Sequence, residues 1–147
     1  GYPFYNGEFE LTKNFNLESV NNSKRYFLKF NNVDAIVLKV ELNGKNLGIL
    51  AWRPWEMEIT KALKQGRNEL NVILVNSLRN LLGPLHHREG ELTWVGPNSF
   101  SCGELWSGDP DKNHWYNSRK TGDAKLWRDD YFLIPFGLLK EPEIICR

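Results

Sequence analysis

The chain has 147 residues, 19 Lys and Arg against 18 Asp and Glu, and a 41% hydrophobic content, which supplies one sizeable core and hardly two, so a single domain over residues 1–147 is expected. A formal net charge of +1 with the signs interspersed gives no field to draw nucleic acid or an anionic membrane, and no apolar stretch approaches the roughly 20 residues of a bilayer span. Residues 1–4 lack the basic and apolar regions of a signal peptide and the sequence starts without Met, so it reads as a processed chain or a module of a larger protein, with a secreted, periplasmic or cell-surface location favoured.

The first half alternates with period two. Phe9, Leu11, Phe15 and Leu17 fall on one side while Glu8, Glu10, Thr12, Asn14 and Asn16 fall on the other, the pattern of a half-buried strand. Tyr26, Leu28 and Phe30 repeat it. Ile36, Leu38, Val40 and Leu42 then alternate with Val37, Lys39 and Glu41 and run into Asn43-Gly44, the pair suited to the positive φ angles of a type I′ turn. A hairpin is predicted there, with its return strand over 47–52. Pro54 interrupts the pattern, since proline cannot donate to a ladder, and Trp55, Met57 and Ile59 resume it. Thr60 to Lys64, closed by Gly66, reads as one helical turn with Thr60 as N-cap and a C-terminal glycine. The apolar run 70–75 is a core strand. Antiparallel strands with tight turns and no sustained helical period predict a β-sandwich.

From Asn76 the texture changes. Residues 83–122 carry six of the twelve glycines and residues 94–127 four of the six tryptophans, with little alternation, which predicts a loop-rich aromatic insertion over 83–129. Tyr131 to Phe136 returns as the last strand, its end placed at a sheet edge by Pro135. Cys102 and Cys146 could form one bridge but do not make a disulfide framework.

Several stretches resemble a known family. Gly1-Tyr2-Pro3-Phe4-Tyr5-Asn6-Gly7 opening onto a strand, Val40-Glu41-Leu42-Asn43-Gly44-Lys45 with Gly48, Trp52-Arg53-Pro54-Trp55, and the stretch from Ile59 through Gly66 to Val72 are similar to the galactose-binding-like jelly-roll modules of bacterial glycoside hydrolases. Such modules occur in family 2 and in rhamnosidase-like and galactosidase-like enzymes, and residues 130–138 resemble their closing strand. The resemblance implies an all-β antiparallel jelly-roll β-sandwich with a long loop-rich excursion before the last strand. It implies a non-catalytic accessory or carbohydrate-binding role, with carbohydrate and the other domains of a parent hydrolase as partners. A protein–protein or interdomain sandwich that binds no sugar is the competing expectation. No cofactor is expected beyond the structural calcium that such folds often carry.

A glycosidase holds two carboxyl groups roughly 5 to 10 Å apart across a cleft, but Glu8, Glu10, Glu41, Glu56 and Glu58 lie on polar faces of predicted strands, and Glu89, Glu91 and Glu104 offer no pairing. No catalytic residue is assigned. His86 and His87, adjacent in extended chain, point to opposite sides and seldom share an ion, and no metal-ligand spacing joins them to His114. Asp109, Asp111 and Asn113 place oxygens at alternate positions, as a calcium loop does, but His114 stands where an EF-hand needs Gly and Lys120 where it needs a bidentate Glu, which favours a solvated turn.

The aromatics are the main functional lead. Sugars present flat C–H faces that stack on rings while their hydroxyls take hydrogen bonds. Trp94, Trp106, Trp115 and Tyr116 sit among Asn113, His114, Asn117 and Arg119, the composition of a glycan site. The plainer alternative is that these rings fill a small core of their own under the excursion, and their spacing shows no period that would aim them outward.

Overall fold

The computed structural model describes residues 2–83, 85–86 and 128–147. The chain divides into two compact units, one of residues 5–77 and 135–147 and the other of residues 1–4 and 78–134. Among the described residues the first unit holds all the strands: β1 (Glu8–Leu17), β2 (Tyr26–Lys29), β3 (Val33–Asp34), β4 (Val37–Leu42), β5 (Lys45–Leu50), β6 (Glu56–Glu58), β7 (Gly66–Val75), β8 (Gly137–Leu138) and β9 (Glu143–Cys146). They form a four-stranded sheet in the order β1-β7-β4-β5, a three-stranded sheet in the order β6-β2-β9, and the pair β3-β8, with every pairing antiparallel. The expected antiparallel β-sandwich is what the residues build.

The alternation decides which side chains meet inside. Leu38, Val40 and Leu42 of β4, Leu70, Val72 and Leu74 of β7, and Leu28, Phe30 and Ile59 from the facing layer form one buried core. Burying each such side chain contributes about 1.5 to 3 kcal/mol. Ile36 departs from its predicted row and is exposed, because β4 starts one residue after it. The β4–β5 hairpin turns on Asn43 and Gly44 at φ 55 and 75, as a type I′ turn requires. Its ladder then slips between Val40 and Glu41, and Gly48 takes φ 114 at the irregularity.

One end of the sandwich is closed by two asparagines. Asn68 is fully buried at an inward position of β7; its amide donates to the carbonyls of Lys64 and Gly66 at 2.7 and 3.0 Å, and its Oδ1 accepts the Lys64 N–H at 2.9 Å. Asn43 donates to the Ala62 carbonyl and to Asn68 Oδ1, both at 2.8 Å, and its own Oδ1 accepts the Glu69 N–H. The predicted helical turn exists, since Ala62 and Leu63 N–H groups donate to the Ile59 carbonyl and Gly66 takes φ +80. Thr60 is no N-cap, however. Its hydroxyl accepts the Tyr26 N–H, tying the turn to β2, and the asparagines satisfy the turn's polar groups instead.

Two expectations need correction. Residues 131–136 are extended but join no ladder: the Phe132 N–H donates to the Leu85 carbonyl and the Ile134 N–H to Asn80 Oδ1, while Pro135 has none to give. The three-stranded sheet is completed instead by β9, which pairs with β2 from Tyr26 opposite Cys146 to Lys29 opposite Glu143. Cys146 is a free, exposed thiol on that strand, and Cys102 lies outside the described residues. The return strand β5 also ends at Leu50, which leaves Trp52 78% exposed.

In the second unit a short helix α1 (Arg79–Leu82) presents Asn80 inward. The Asn80 amide donates to the carbonyls of Pro3 and Ile134 at 2.9 and 3.0 Å, and its Oδ1 takes the Ile134 N–H, so one side chain ties the start of the chain to residue 134. Gly83 follows with no room for a side chain, as a Cβ there would stand 2.5 Å from the Arg79 carbonyl oxygen.

Candidate functional site

The residues named from sequence for a glycan site, Trp94, Trp106, His114, Trp115, Tyr116, Asn117 and Arg119, and those named for calcium, Asp109, Asp111 and Asn113, lie outside the described residues. Within the described residues two places have the chemistry of a site, one in each unit.

The first is a cavity of about 570 Å³ in the sandwich unit. Leu11 and Phe15 of β1 and Ile144 of β9 line it together, so the two terminal strands of the two sheets face each other across it. Leu28, Leu70 and Val72 form its floor from the core strands, and Thr12, Lys13, Lys140 and Glu141 supply its polar lining. Its cause lies in strand lengths: the ten residues of β1 are faced by a sheet whose outer strand β9 has only four. The predicted inward row of β1 is therefore only half covered. Phe15 and Leu17 pack on the core, while Phe9 and Leu11 stay 38% and 37% exposed.

Three carboxylates of the sandwich, Glu8, Glu56 and Glu58, are engaged by cations. Glu58 takes two hydrogen bonds from Arg25, Glu56 two from Arg147, and Glu8 one from Lys39. Arg25 and Arg147 also stand 5.1 and 4.6 Å from the centre of the Phe27 ring, so Phe27 lies between two paired guanidiniums. The Arg25 hydrogen bonds, with help from Thr60, hold the Glu58 carboxyl below the ordinary carboxylate range.

The second place is an aromatic group in the other unit. Phe4 meets Tyr131 edge to face, ring centres 5.3 Å apart at 84°, and His86 lies 5.0 Å from the same ring at 47°. The backbone fixes them. Arg128 donates its N–H to the His86 carbonyl at 2.9 Å, and His86 Nδ1 returns a hydrogen bond to the Arg128 carbonyl at 3.0 Å, which makes Nδ1 the protonated nitrogen. Beside the rings, Arg128 is bidentate to Asp130 and stands 5.8 Å from the Phe132 ring centre. The guanidinium holds the Asp130 carboxyl below the ordinary carboxylate range, and the carboxylate raises Arg128 in turn. Sequence reasoning missed this grouping. Tyr131 reads as a strand residue and Phe4 as part of a terminal motif, and only the Arg-x-Asp pattern hints that a charge pair lies beside them.

Among solved structures, a β-glucuronidase of Bifidobacterium dentium complexed with coumarin-3-O-glucuronide is 20% identical over 95% of this chain and 21% of its own, with a TM-score of 0.51, and shares the fold. A rhamnosidase from Novosphingobium sp. PP1Y is 23% identical over 52% of this chain and 7% of its own, at a TM-score of 0.48. A β-glucuronidase from glycoside hydrolase family 2 is 28% identical over 50% and 8%, at 0.43. The chain thus spans about a fifth or less of the length of these enzymes. No curated protein matches the sequence. Residues 4–122 match the family model described as glycosyl hydrolase 2 galactose-binding domain-like, a stretch that takes in β1 to β7, and the chain belongs to that family.

Proposed function

We propose that this chain is a non-catalytic accessory domain of a glycoside hydrolase, bracing the other domains of that enzyme. The observation that carries the proposal is the chemistry of the sandwich cavity. Its apolar walls are aliphatic but for Phe15, and Glu141 is its single carboxylate among the described residues. Bond cleavage at an acetal centre uses two carboxyl groups across one cleft, whereas aliphatic walls with a few charges at their border suit burial against another protein surface. Glu8, Glu56 and Glu58 are spent in ion pairs with Lys39, Arg147 and Arg25. Membership of the family supports the setting.

A second reading gives the same fold a purely interdomain role and is favoured by Trp52, a large ring 78% exposed beside Arg53 and Pro54. Both readings are tested by two assays on the 147-residue chain. Incubation with 4-nitrophenyl glycosides should give no turnover, and turnover would end the accessory reading. Titration against the rest of the parent polypeptide should show docking that Leu11→Glu weakens. If only Trp52→Ala weakens docking, the cavity is not the braced surface and the second reading takes its place.

A further inference from the structure

We propose that β1 is a docking edge for a second copy of this chain, which pairs antiparallel with its own counterpart about a two-fold axis at Leu11. The inference goes beyond the accessory reading, which concerns the cavity between the sheets; strand pairing runs along the edge of one sheet. Among the described residues β1 ends the order β1-β7-β4-β5, and its residues 8–14 are all exposed, whichever face their side chains belong to. A strand flanked on both sides would show alternation instead. An exposed strand edge is a row of amide groups ready to pair with another strand.

The register shows which groups are ready. The Asn76 N–H donates to the Gly7 carbonyl at 3.3 Å, one step beyond the pair of Glu8 and Val75. Bonds of an antiparallel ladder fall on every second residue, so Phe9, Leu11 and Lys13 bond to β7, while the N–H and C=O groups of Glu8, Glu10, Thr12 and Asn14 turn to the open edge. Glu69 agrees with this phase: it stands opposite Asn14, yet its carbonyl takes the Asn43 N–H on the β4 side at 2.8 Å. The Glu8 carbonyl accepts the Tyr5 hydroxyl at 2.7 Å and keeps a second lone pair.

The side chains fit a second copy. Edge amides match only where these residues face one another, so a two-fold axis must pass through a residue and not between two. An axis at Glu10 sets two carboxylates directly opposite, and one at Lys13 sets two ammonium groups opposite, which destabilises both. At Leu11 the exposed stretch covers itself: Glu8 faces the partner's Asn14, Glu10 the partner's Thr12, and Leu11 the partner's Leu11. Each carboxylate then meets a neutral donor. Asn14 Oδ1 is taken by Arg67 at 3.3 and 3.2 Å, which leaves the Asn14 amide N–H groups to give. On the inner row Lys13 lies against the partner's Phe9 ring as a cation–π pair, whereas an axis at Thr12 would set it against the partner's Leu11. Phe9 and Leu11, 38% and 37% exposed, leave water on pairing. The contact is isologous and uses up the β1 edge of both copies, so assembly closes at two.

The test is sedimentation equilibrium of the 147-residue chain up to millimolar concentration, since one strand pair is a small interface and should dimerise with Kd in roughly the micromolar to millimolar range. Glu10→Pro removes an edge N–H that β7 does not use, a change an edge strand tolerates. It should raise the dimer Kd roughly tenfold or more, because a bond is lost on each side of the axis, and leave the melting temperature little changed. Leu11→Cys should form a disulfide dimer on oxidation, well above the background that exposed Cys146 sets in the unaltered chain, because residues facing each other at the axis bring their Cβ atoms close. Lys13→Cys should not. A chain that stays monomeric at millimolar concentration overturns the proposal, as does an unchanged dimer Kd in the Glu10→Pro chain, and equal cross-linking at positions 11 and 13 overturns the register. If Glu10→Pro fails to fold, the two cysteine variants carry the test. A monomer leaves the accessory reading standing. That reading falls instead to turnover of a 4-nitrophenyl glycoside, which leaves the strand pairing untouched.

Discussion

The sandwich unit has one closed end and one open side, and they are built from the same strands. At the end formed by Asn43, Asn68 and the turn at residues 60–66, each hydrogen-bonding group of the half-buried Asn43 amide and the buried Asn68 amide meets a partner and the aliphatic core reaches full burial. Along β1 the same inward row runs out from under its cover, and Phe9 and Leu11 are left partly in water beside a 570 Å³ cavity. Stability resides in the first region, and the proposed docking surface lies in the second. The same type of substitution should therefore have very different effects in the two places.

The largest effect is expected at the centre of the closed region. Leu38 is fully buried between β5 and β7, and Leu38→Ala should cost about 2 to 5 kcal/mol, read as a lower urea midpoint at unchanged slope. Phe15→Ala removes a larger side chain, but one that lines the open cavity, so its loss should fall well below the about 3 to 5 kcal/mol usual for a core Phe. Equal losses would mean that the cavity is closed in solution. Next comes Asn68→Ala. It strands the Lys64 N–H, two carbonyls and the Asn43 amide at a buried position, and should cost about 2 to 4 kcal/mol, whereas Asn68→Asp, which keeps the acceptor that serves Lys64 N–H but sets its second oxygen against the two carbonyls, should cost less at low pH, where the protonated carboxyl can donate to one of them, than at high pH, where a buried carboxylate cannot.

This contrast also explains what could be read in the sequence. The β4–β5 hairpin was legible because Asn43-Gly44 states its turn chemistry locally, and the inward faces of β2, β4 and β7 were legible because period two is a local property. The start of β7 was not, since Asn68 occupies an inward position and reads as loop; its partners lie at residues 43, 64 and 66 and are brought to it only by the fold. Periodicity tells which face of β1 is apolar, but coverage depends on the length of β9, a four-residue strand with a single inward Ile. The closing strand was misplaced for a related reason: 131–136 has the apolar composition of a strand, yet its amides are claimed by Leu85 and Asn80. The Tyr131 cluster was invisible because Phe4, His86 and Tyr131 are joined by no sequence spacing at all.

A smaller effect is expected on the open side. Leu11→Ser replaces a side chain already 37% exposed and should change stability by no more than about 0.5 kcal/mol, while weakening docking to the remaining domains of the parent enzyme. A stability loss comparable to that of Leu38→Ala would place Leu11 in the closed core and remove the cavity as a docking surface.

The smallest effect belongs to the ion pairs of the outer faces, and its sign can be fixed. Glu58 is held below the ordinary carboxylate range chiefly by the Arg25 hydrogen bonds, then by Thr60. Because the folded value is the lower one, the pair contributes stability that is present above the unfolded carboxylate value and is lost as pH falls through the folded value. Both side chains are largely in solvent, at 66% and 40% exposure, so salt should screen the contribution and side-chain entropy should oppose it. Glu58→Gln should then lower the melting temperature slightly at neutral pH and low salt. The difference from the unaltered chain should shrink as salt is added and close as the pH is taken below the carboxylate range, where both side chains are neutral. Thr60 gives the measurement a second handle, since its hydroxyl donates to Glu58 Oε1 at 3.0 Å while accepting the Tyr26 N–H. Thr60→Val should destabilise at every pH through the stranded Tyr26 amide, and should also raise the pH at which Glu58 titrates. If Thr60→Val left that titration unmoved, Arg25 alone would set the ionisation of Glu58, and the turn at residues 60–66 would be coupled to β2 through the backbone but not through charge.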